Sequence, residues 1–380
     1  MALLKQRYDG NQIYTSINAM MLAINPYADL GLYAAPVVAL YGRFGDGVTP
    51  PPHVFGVAAE AFKGVLAGGS QSILVAGESG AGKTESCRRV LQYLAHVGNQ
   101  HASAEDPEAG ELTRRAGGLH DELTRCNCVL EALGNARTTM NDNSSRFGKF
   151  LVLQYGAGSR LAGAAVSTYL LEKTRVVRHA PAERSFHIMY GLAAGLGAAE
   201  KAELLLRDPQ QHVYTAVARA PPSAAPGAAA RAAAYAKEEA TRDLGTLAEV
   251  GEALRHVGLE SFEQARDLGA ISPDLGRPPL LTPRLICCDL ARSPEAQAQA
   301  WRVLAAVLHL GDVRFGGDDA AEVAEGSLPA LQAAAALLGS ESLAALRHVL
   351  VTRCIKGTPT LGRRTSGSFA GQRRSATLSR

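Results

Sequence analysis

The 380-residue sequence has no C-x-x-C pair and no apolar run approaching the ~20 residues that span a bilayer. It also has no large excess of either charge. Each absence excludes something. The 6 cysteines, Cys87, Cys126, Cys128, Cys287, Cys288 and Cys354, lack the spacing of a zinc site and read as reduced thiols of a cytosolic protein. The formal net charge of +3 is too small to imply a nucleic-acid partner. The opening residues Met-Ala-Leu-Leu-Lys-Gln-Arg-Tyr lack the apolar stretch of a signal peptide, so neither export nor a membrane span is expected. No internal repeat is visible. Acidic residues are missing from Leu343 to Arg380, where Arg347, Arg353, Lys356, Arg363, Arg364, Arg373, Arg374 and Arg380 are all basic. What is present is globular composition, 47% hydrophobic and 20% charged, on a chain long enough for a substantial core and more than one lobe.

The most specific stretch is Gly77-Glu78-Ser79-Gly80-Ala81-Gly82-Lys83-Thr84, which fits G-x-x-x-x-G-K-[ST] at every fixed position. Gln71–Ala76 before it reads as a buried strand, and Cys87, Leu91 and Leu94 after it recur at helical spacing. In a strand–loop–helix setting the glycines let backbone N–H groups converge on one phosphate, and the helix start adds partial positive charge. Lys83 can then reach the β- and γ-phosphates, and the Thr84 hydroxyl can bind Mg²⁺. The bland alternative is a glycine-rich turn with a surface lysine.

Elsewhere, residues 11–24 read as short strands leading into Asn25-Pro26, and 54–67 as a helix. The helix after Thr84 is expected to run to about His96, with a polar loop over 97–118. Phe150–Tyr155 and Val166–Leu171 read as a hairpin turning at Gly156–Ser159. Helices are expected over 183–196, 228–257, 295–310 and 328–350. Residues 219–235 read as a flexible loop opening into an Ala-rich helix. Residues 263–294 carry Pro273, Pro278, Pro279, Pro283 and Pro294, which rule out a continuous helix; they read as an inserted surface loop or as retained non-coding sequence.

The wording Gly77–Thr84 resembles the myosin motor head, and a second block agrees. Asn141-Asp142-Asn143-Ser144-Ser145-Arg146-Phe147-Gly148-Lys149-Phe150 is similar to that family's switch I. Asn25-Pro26-Tyr27 with Tyr33 resembles its purine-binding loop, and Pro51–Phe55, Tyr169–Val177 and Leu304–Gly311 are further family-like blocks in the right order, from near residue 10 to near 360. The resemblance implies an α/β fold: a P-loop NTPase core over residues 1–160, a mainly helical upper lobe over 161–362, and a basic, disordered tail over 363–380. It implies ATP and Mg²⁺ as cofactors, actin filaments as partner, and a cytoplasmic, cytoskeleton-associated motor. Nucleotide contacts would come from Asn25, Pro26, Tyr33, Gly77, Glu78, Ser79, Gly80, Ala81, Gly82, Lys83, Thr84, Asn141, Asn143 and Ser144. Thr84 and Ser145 would hold the metal. Lys83, Ser144, Ser145 and Arg146 would act on the transferring phosphoryl group. On pattern alone, Asn141–Ser145 is equally a polar turn, and Tyr33 a half-exposed core aromatic.

The family's D-h-x-G-F-E motif, whose Glu pairs with the residue matched by Arg146, does not occur in this sequence. Leu285–Leu290 leads apolar residues into Asp289 but continues Ala-Arg-Ser and precedes the Leu304–Gly311 block. The implied consequence is a poor ATPase, or a nucleotide-binding fragment without motor activity, with central sheet strands unpaired. No lever-arm repeat is present, so light chains are not expected. Arg353–Arg364 aligns with an actin-contacting loop of the upper lobe, whereas residues 365–380 read as a disordered polar end. A kinesin-like P-loop class fits the switch I wording poorly.

Overall fold

The computed structural model describes residues 2–42, 50–102, 123–156, 161–216, 228–256, 294–317, 321–340, 342–355 and 358–361. The chain runs through α1 (Ala2–Asp9), β1 (Tyr14–Ile17), β2 (Met20–Ala23), α2 (Ala35–Gly42), α3 (Val54–Leu66), α4 (Lys83–Ala102) and a helix α5 over residues 123–134. The hairpin β3 (Gly148–Tyr155) and β4 (Leu161–Tyr169) comes next, then helices α6 (His187–Gly195), α7 (Ala198–Glu203), α8 (Ala228–His256) and α9 (Pro294–Asp312). After the short pair β5 (Phe315–Gly316) and β6 (Glu322–Val323) come α10 (Leu328–Leu337), α11 (Leu343–Val351) and the pair β7 (Thr352–Ile355) and β8 (Thr358–Leu361). The secondary structure is thus mixed helix and strand, and these strands pair antiparallel as two-stranded ribbons.

The chain divides into two compact units. The first comprises Met1–Leu130, Met140–Leu170 and Ala253–Cys288; the second, Glu131–Thr139, Leu171–Glu252 and Asp289–Arg380. In the first unit α4 is buried on two sides. Val90, Tyr93, Leu94 and Val97 pack with Val54, Phe55, Ala58 and Phe62 of α3, and Phe55 and Tyr93 stack with centroids 5.5 Å apart. Leu91 and Ala95 pack instead with Leu161 and Ala164 of β4. A helix clamped in this way presents its N-terminus, and so Lys83, at a fixed place. β3 and β4 pair in register from Gly148↔Tyr169 to Leu153↔Ala164, with an irregularity at Gln154/Tyr155.

In the second unit α6 buries Ile188, Met189, Tyr190, Leu192 and Ala193. Its approach to α8 is close. A Cβ at Gly191 would lie 3.0 Å from the Thr246 side chain, and one at Gly195 3.2 Å from that of Leu247. A residue larger than glycine at either position would need its neighbour on α8 to give by a few tenths of an ångström. Arg184 is buried between these elements. It donates to Asp243 through both terminal nitrogens (3.0 and 2.6 Å) and lies over the Tyr190 ring at 3.4 Å.

Several expectations need correction. Gln71–Ala76 is not a buried strand: it joins no ladder among the described residues, and Leu74 is 92% exposed. β-propensity supplies only half of a strand, because the backbone groups need a neighbour to pair with. The helix after Thr84 continues through residues 97–102, where Val97 is still buried. Cys87 is exposed, although Leu91 and Leu94, which follow it at helical spacing, are buried. The helix expected over 328–350 is two helices. Gly339, at φ 65°, ends the first, and the Ser342 side chain accepts from the Ala345 N–H (3.2 Å) to start the second. The turn at 157–160, the stretch 263–293, Asp289 and the tail over 363–380 lie outside the described residues.

Candidate nucleotide site

The loop between Gly77 and Lys83 is built by glycine. Gly80 and Gly82 take φ of 80° and 90°, which a side chain would strain, and Gly77 takes 154°. The loop runs directly into α4, whose first residue is Lys83 and whose first turn contains Glu85. The Lys83 ammonium donates to the backbone carbonyls of Gly77 (2.8 Å) and Glu78 (2.7 Å), and so sits at the mouth of the loop. Thr84 is exposed beside it.

Residues distant in sequence converge on this loop. The Asn25 amide donates to the Gly80 carbonyl at 2.8 Å, and its Oδ1 accepts from the Tyr27 N–H at 2.9 Å. The Tyr27 hydroxyl reaches the same carbonyl at 3.4 Å. Pro26, between them, is half-buried. From the other side, Ser79 Oγ donates to Ser144 Oγ at 2.9 Å, and Asn141 Nδ2 reaches Ser79 Oγ at 3.3 Å. Ser144 is buried and also accepts from Arg146 Nη1 at 3.1 Å. Asn143 donates its backbone N–H to Asn141 Oδ1 at 3.0 Å, so the Asn141–Arg146 segment is a turn bonded to itself as well as to the glycine loop. The exposed Ser145 hydroxyl donates to the Phe147 carbonyl at 3.2 Å.

Tyr33 is placed differently. Its hydroxyl shares a 2.7 Å hydrogen bond with that of Tyr14, and the Arg89 guanidinium lies over its ring at 4.1 Å. It borders an aromatic cluster of Tyr14, Tyr41, His53 and Phe55. Burial raises the Tyr14 phenol well above its usual range, and the hydrogen bond and charge of Tyr33 raise it further. Burial also lowers the His53 imidazole to about 4.

Sequence reading missed Arg89, Glu85, Tyr14 and the Tyr27 hydroxyl. The first two carry a signal, an acidic and a basic residue four apart on a helix, which is ordinarily only a surface pair. Burial works against the charge of Glu85, but the hydrogen bond from Arg88 and the nearby charges of Arg89 and Arg88 outweigh it and hold the carboxyl below its usual range.

Among the described residues, the second unit holds a cluster of metal-ligating types, His212, His309 and Asp312. Its atoms are already engaged. Asp312 accepts from His212 Nδ1 (2.7 Å), from the Val213 N–H (2.8 Å) and from Arg207. His212 Nε2 accepts from the Arg207 N–H (3.2 Å), and His309 Nε2 bonds the Leu204 carbonyl (3.1 Å). It reads as a buried polar tie between α9 and the Leu204–Val213 segment that follows α7.

The sequence pattern of the family described as myosin head (motor domain) matches residues 1–272. The chain belongs to the myosin head family. It is 43% identical over 228 residues to Myosin-14 of Mus musculus and 44% identical over 227 residues to Myosin-14 of Homo sapiens. In each case the match covers 59% of this chain and 11% of the relative. It is 39% identical over 217 residues to Myosin-1 of Sclerotinia sclerotiorum, covering 57% of this chain and 17% of that protein. The chain thus spans a small fraction of the length of the curated relatives it matches. Among the described residues no helix is long and apolar enough to cross a membrane.

Proposed function

We propose that this chain carries the nucleotide site of an ATP-dependent, actin-based motor of the myosin type. The observation that supports it best is the meeting of the Gly77–Thr84 loop with the Asn141–Arg146 segment through Ser79 and Ser144, 2.9 Å apart, beside the Lys83 ammonium. These are the two blocks that carry the family resemblance, and 62 to 65 residues of sequence separate their bonded partners.

In this reading the loop N–H groups and Lys83 hold the phosphates of ATP, and Asn141, Asn143 and Ser144 donate to phosphate oxygens. Ser144 also orients the attacking water, and Arg146 holds Ser144 in place. The Thr84 and Ser145 hydroxyls, both exposed, are neutral oxygen donors that suit Mg²⁺, a hard cation that keeps several waters. When bound, Mg²⁺ would neutralise charge developing on the phosphate oxygens. The glycine cradle suits an anion, since Gly77, Gly80 and Gly82 carry no Cβ and take positive φ, which lets the loop curl its backbone N–H groups toward one point. The second, mainly helical unit would correspond to the upper lobe, with the β7–β8 ribbon in the Arg353–Arg364 stretch directed to acidic actin.

A second reading is a nucleotide-binding chain without motor activity. Both readings require nucleotide binding. Titration with a fluorescent ATP analogue should give saturable, Mg²⁺-dependent binding that Lys83→Ala abolishes. Equal affinity of the two proteins would overturn the proposal.

A further inference from the structure

We propose that Asn25 is a positioning residue for the phosphate loop, holding the Gly80–Ala81 peptide so that the Ala81 N–H faces into the loop. The inference rests on the nucleotide-binding reading above. It assigns Asn25 to the shape of the phosphate end of the site rather than to a contact with the base.

The brace starts from fixed backbone. Asn25 comes two residues after the end of β2, and the hairpin contacts extend to it. The Ile24 N–H donates to the Ile13 carbonyl at 3.0 Å, and the Asn25 carbonyl accepts from the Tyr8 hydroxyl at 3.3 Å. The side chain is then oriented by its own chain. Oδ1 accepts from the Tyr27 N–H at 2.9 Å, an Asx turn across Pro26, which has no N–H of its own. With the oxygen held there, the amide nitrogen is turned away from Tyr27 and donates to the Gly80 carbonyl at 2.8 Å, across 55 residues of sequence. Tyr27 sits at φ 51°, a backbone region rare for an aromatic residue, and from there its hydroxyl reaches the same carbonyl at 3.4 Å.

The direction of the Gly80 carbonyl decides what the next amide does. In a planar trans peptide the C=O and the following N–H point in opposite directions. With the Gly80 oxygen held toward Asn25, the Ala81 N–H is directed away from it, into the loop, where it meets the Glu78 carbonyl at 3.3 Å. The same oxygen takes the Lys83 ammonium at 2.7 Å. Two donors from different parts of the loop thus converge on one acceptor. A phosphate oxygen carries charge and is a stronger acceptor than a carbonyl for such a pair. Gly80, at φ 80°, gives this peptide its conformational freedom, and Asn25 removes that freedom again. An amide held in place before the ligand arrives leaves less ordering to be done on binding.

The test asks whether the loss follows the phosphates or the base. The full chain would be titrated calorimetrically with Mg-ATP and with Mg-tripolyphosphate, which has the phosphates and no base. Asn25→Leu, uncharged and of similar shape, should weaken both ligands alike by about fivefold, the scale of one side-chain hydrogen bond. Asn25→Ser should lose as much, since its hydroxyl still accepts from the Tyr27 N–H in the same kind of turn but is too short to reach Gly80. Tyr27→Phe, which removes the longer bond to the same carbonyl, should cost both ligands about twofold. If Asn25→Leu does not fold, the other two variants carry the same test. Weakened ATP with unchanged tripolyphosphate would make Asn25 a base contact and overturn the proposal. Unchanged affinity for both ligands in Asn25→Leu, or full affinity in Asn25→Ser, overturns it as well. Wild-type protein that binds neither ligand overturns the nucleotide reading instead. A ligand-free measurement then still decides the positioning role. Hydrogen exchange at the Ala81 amide should be several-fold faster in Asn25→Leu and Asn25→Ser, with no change at the buried amides of α3. Unchanged exchange at Ala81 refutes it.

Discussion

Protonation of His53 should be a main acid-sensitive point of the first unit. The ring is 5% exposed and is enclosed by Tyr14, Tyr41 and Phe55, with centroids 4.9, 5.0 and 4.4 Å away. Its Nδ1 accepts the Phe55 N–H at 3.1 Å and so caps α3, a role that requires the neutral imidazole. Burial lowers its pKa from 6.5 to about 4, and the Leu32 backbone offsets only part of that. Because the folded value lies below the unfolded one, the unfolded chain takes up the proton first. The neutral ring's contribution is therefore complete above pH ~6.5 and is lost as pH falls through about 4. At 1.36 kcal/mol per unit, the difference is about 3 kcal/mol, a large part of the ~5–15 kcal/mol that holds a domain together. The assay is urea unfolding of wild type and His53→Asn between pH 7 and pH 4. Asparagine keeps a capping acceptor and does not titrate, so other ionisable groups cancel in the difference. Wild type should lose about 3 kcal/mol more than the variant across this range. Parallel curves, or a His53 imidazole titrating near 6.5 by NMR, would refute the reasoning.

Asp312→Asn should destabilise the second unit by about 3 kcal/mol, because a carboxylate bonded to His212, Val213 and Arg207 is removed from a site where its side chain is 8% exposed; a loss below ~1 kcal/mol in denaturant unfolding would contradict that role. Steady-state ATP hydrolysis by the 380-residue chain should be very slow and unaffected by actin filaments, since the sequence contains no D-h-x-G-F-E. Robust actin-stimulated turnover of purified protein would disprove this and make Asp289 the first candidate substitute.

The Gly77–Thr84 motif, the helix from Lys83, the helix at Val54–Leu66 and the Phe150–Tyr155 hairpin strand were legible in sequence. Each is specified locally, by positive-φ glycines, by apolar residues at helical spacing or by a β-branched and aromatic run flanked by turn residues. The family was legible for the same reason, since its motifs are contiguous. What the sequence could not decide was who meets whom. Gln71–Ala76 has strand composition, yet without a neighbour its backbone joins no ladder and Leu74 stands in solvent. Gly339 and Ser342 look unremarkable inside an apolar run, but the packing of Val313, Val323 and Leu331 with Leu343 and Leu346 requires the chain to turn there. Arg89 and Glu85 read as an ordinary surface pair, and only the fold sets Tyr33 beneath the guanidinium. Hydrogen bonds and ring contacts between residues tens of positions apart depend on distances of a few ångströms. Spacing along a chain fixes such distances only within a turn or two of helix; beyond that, packing sets them.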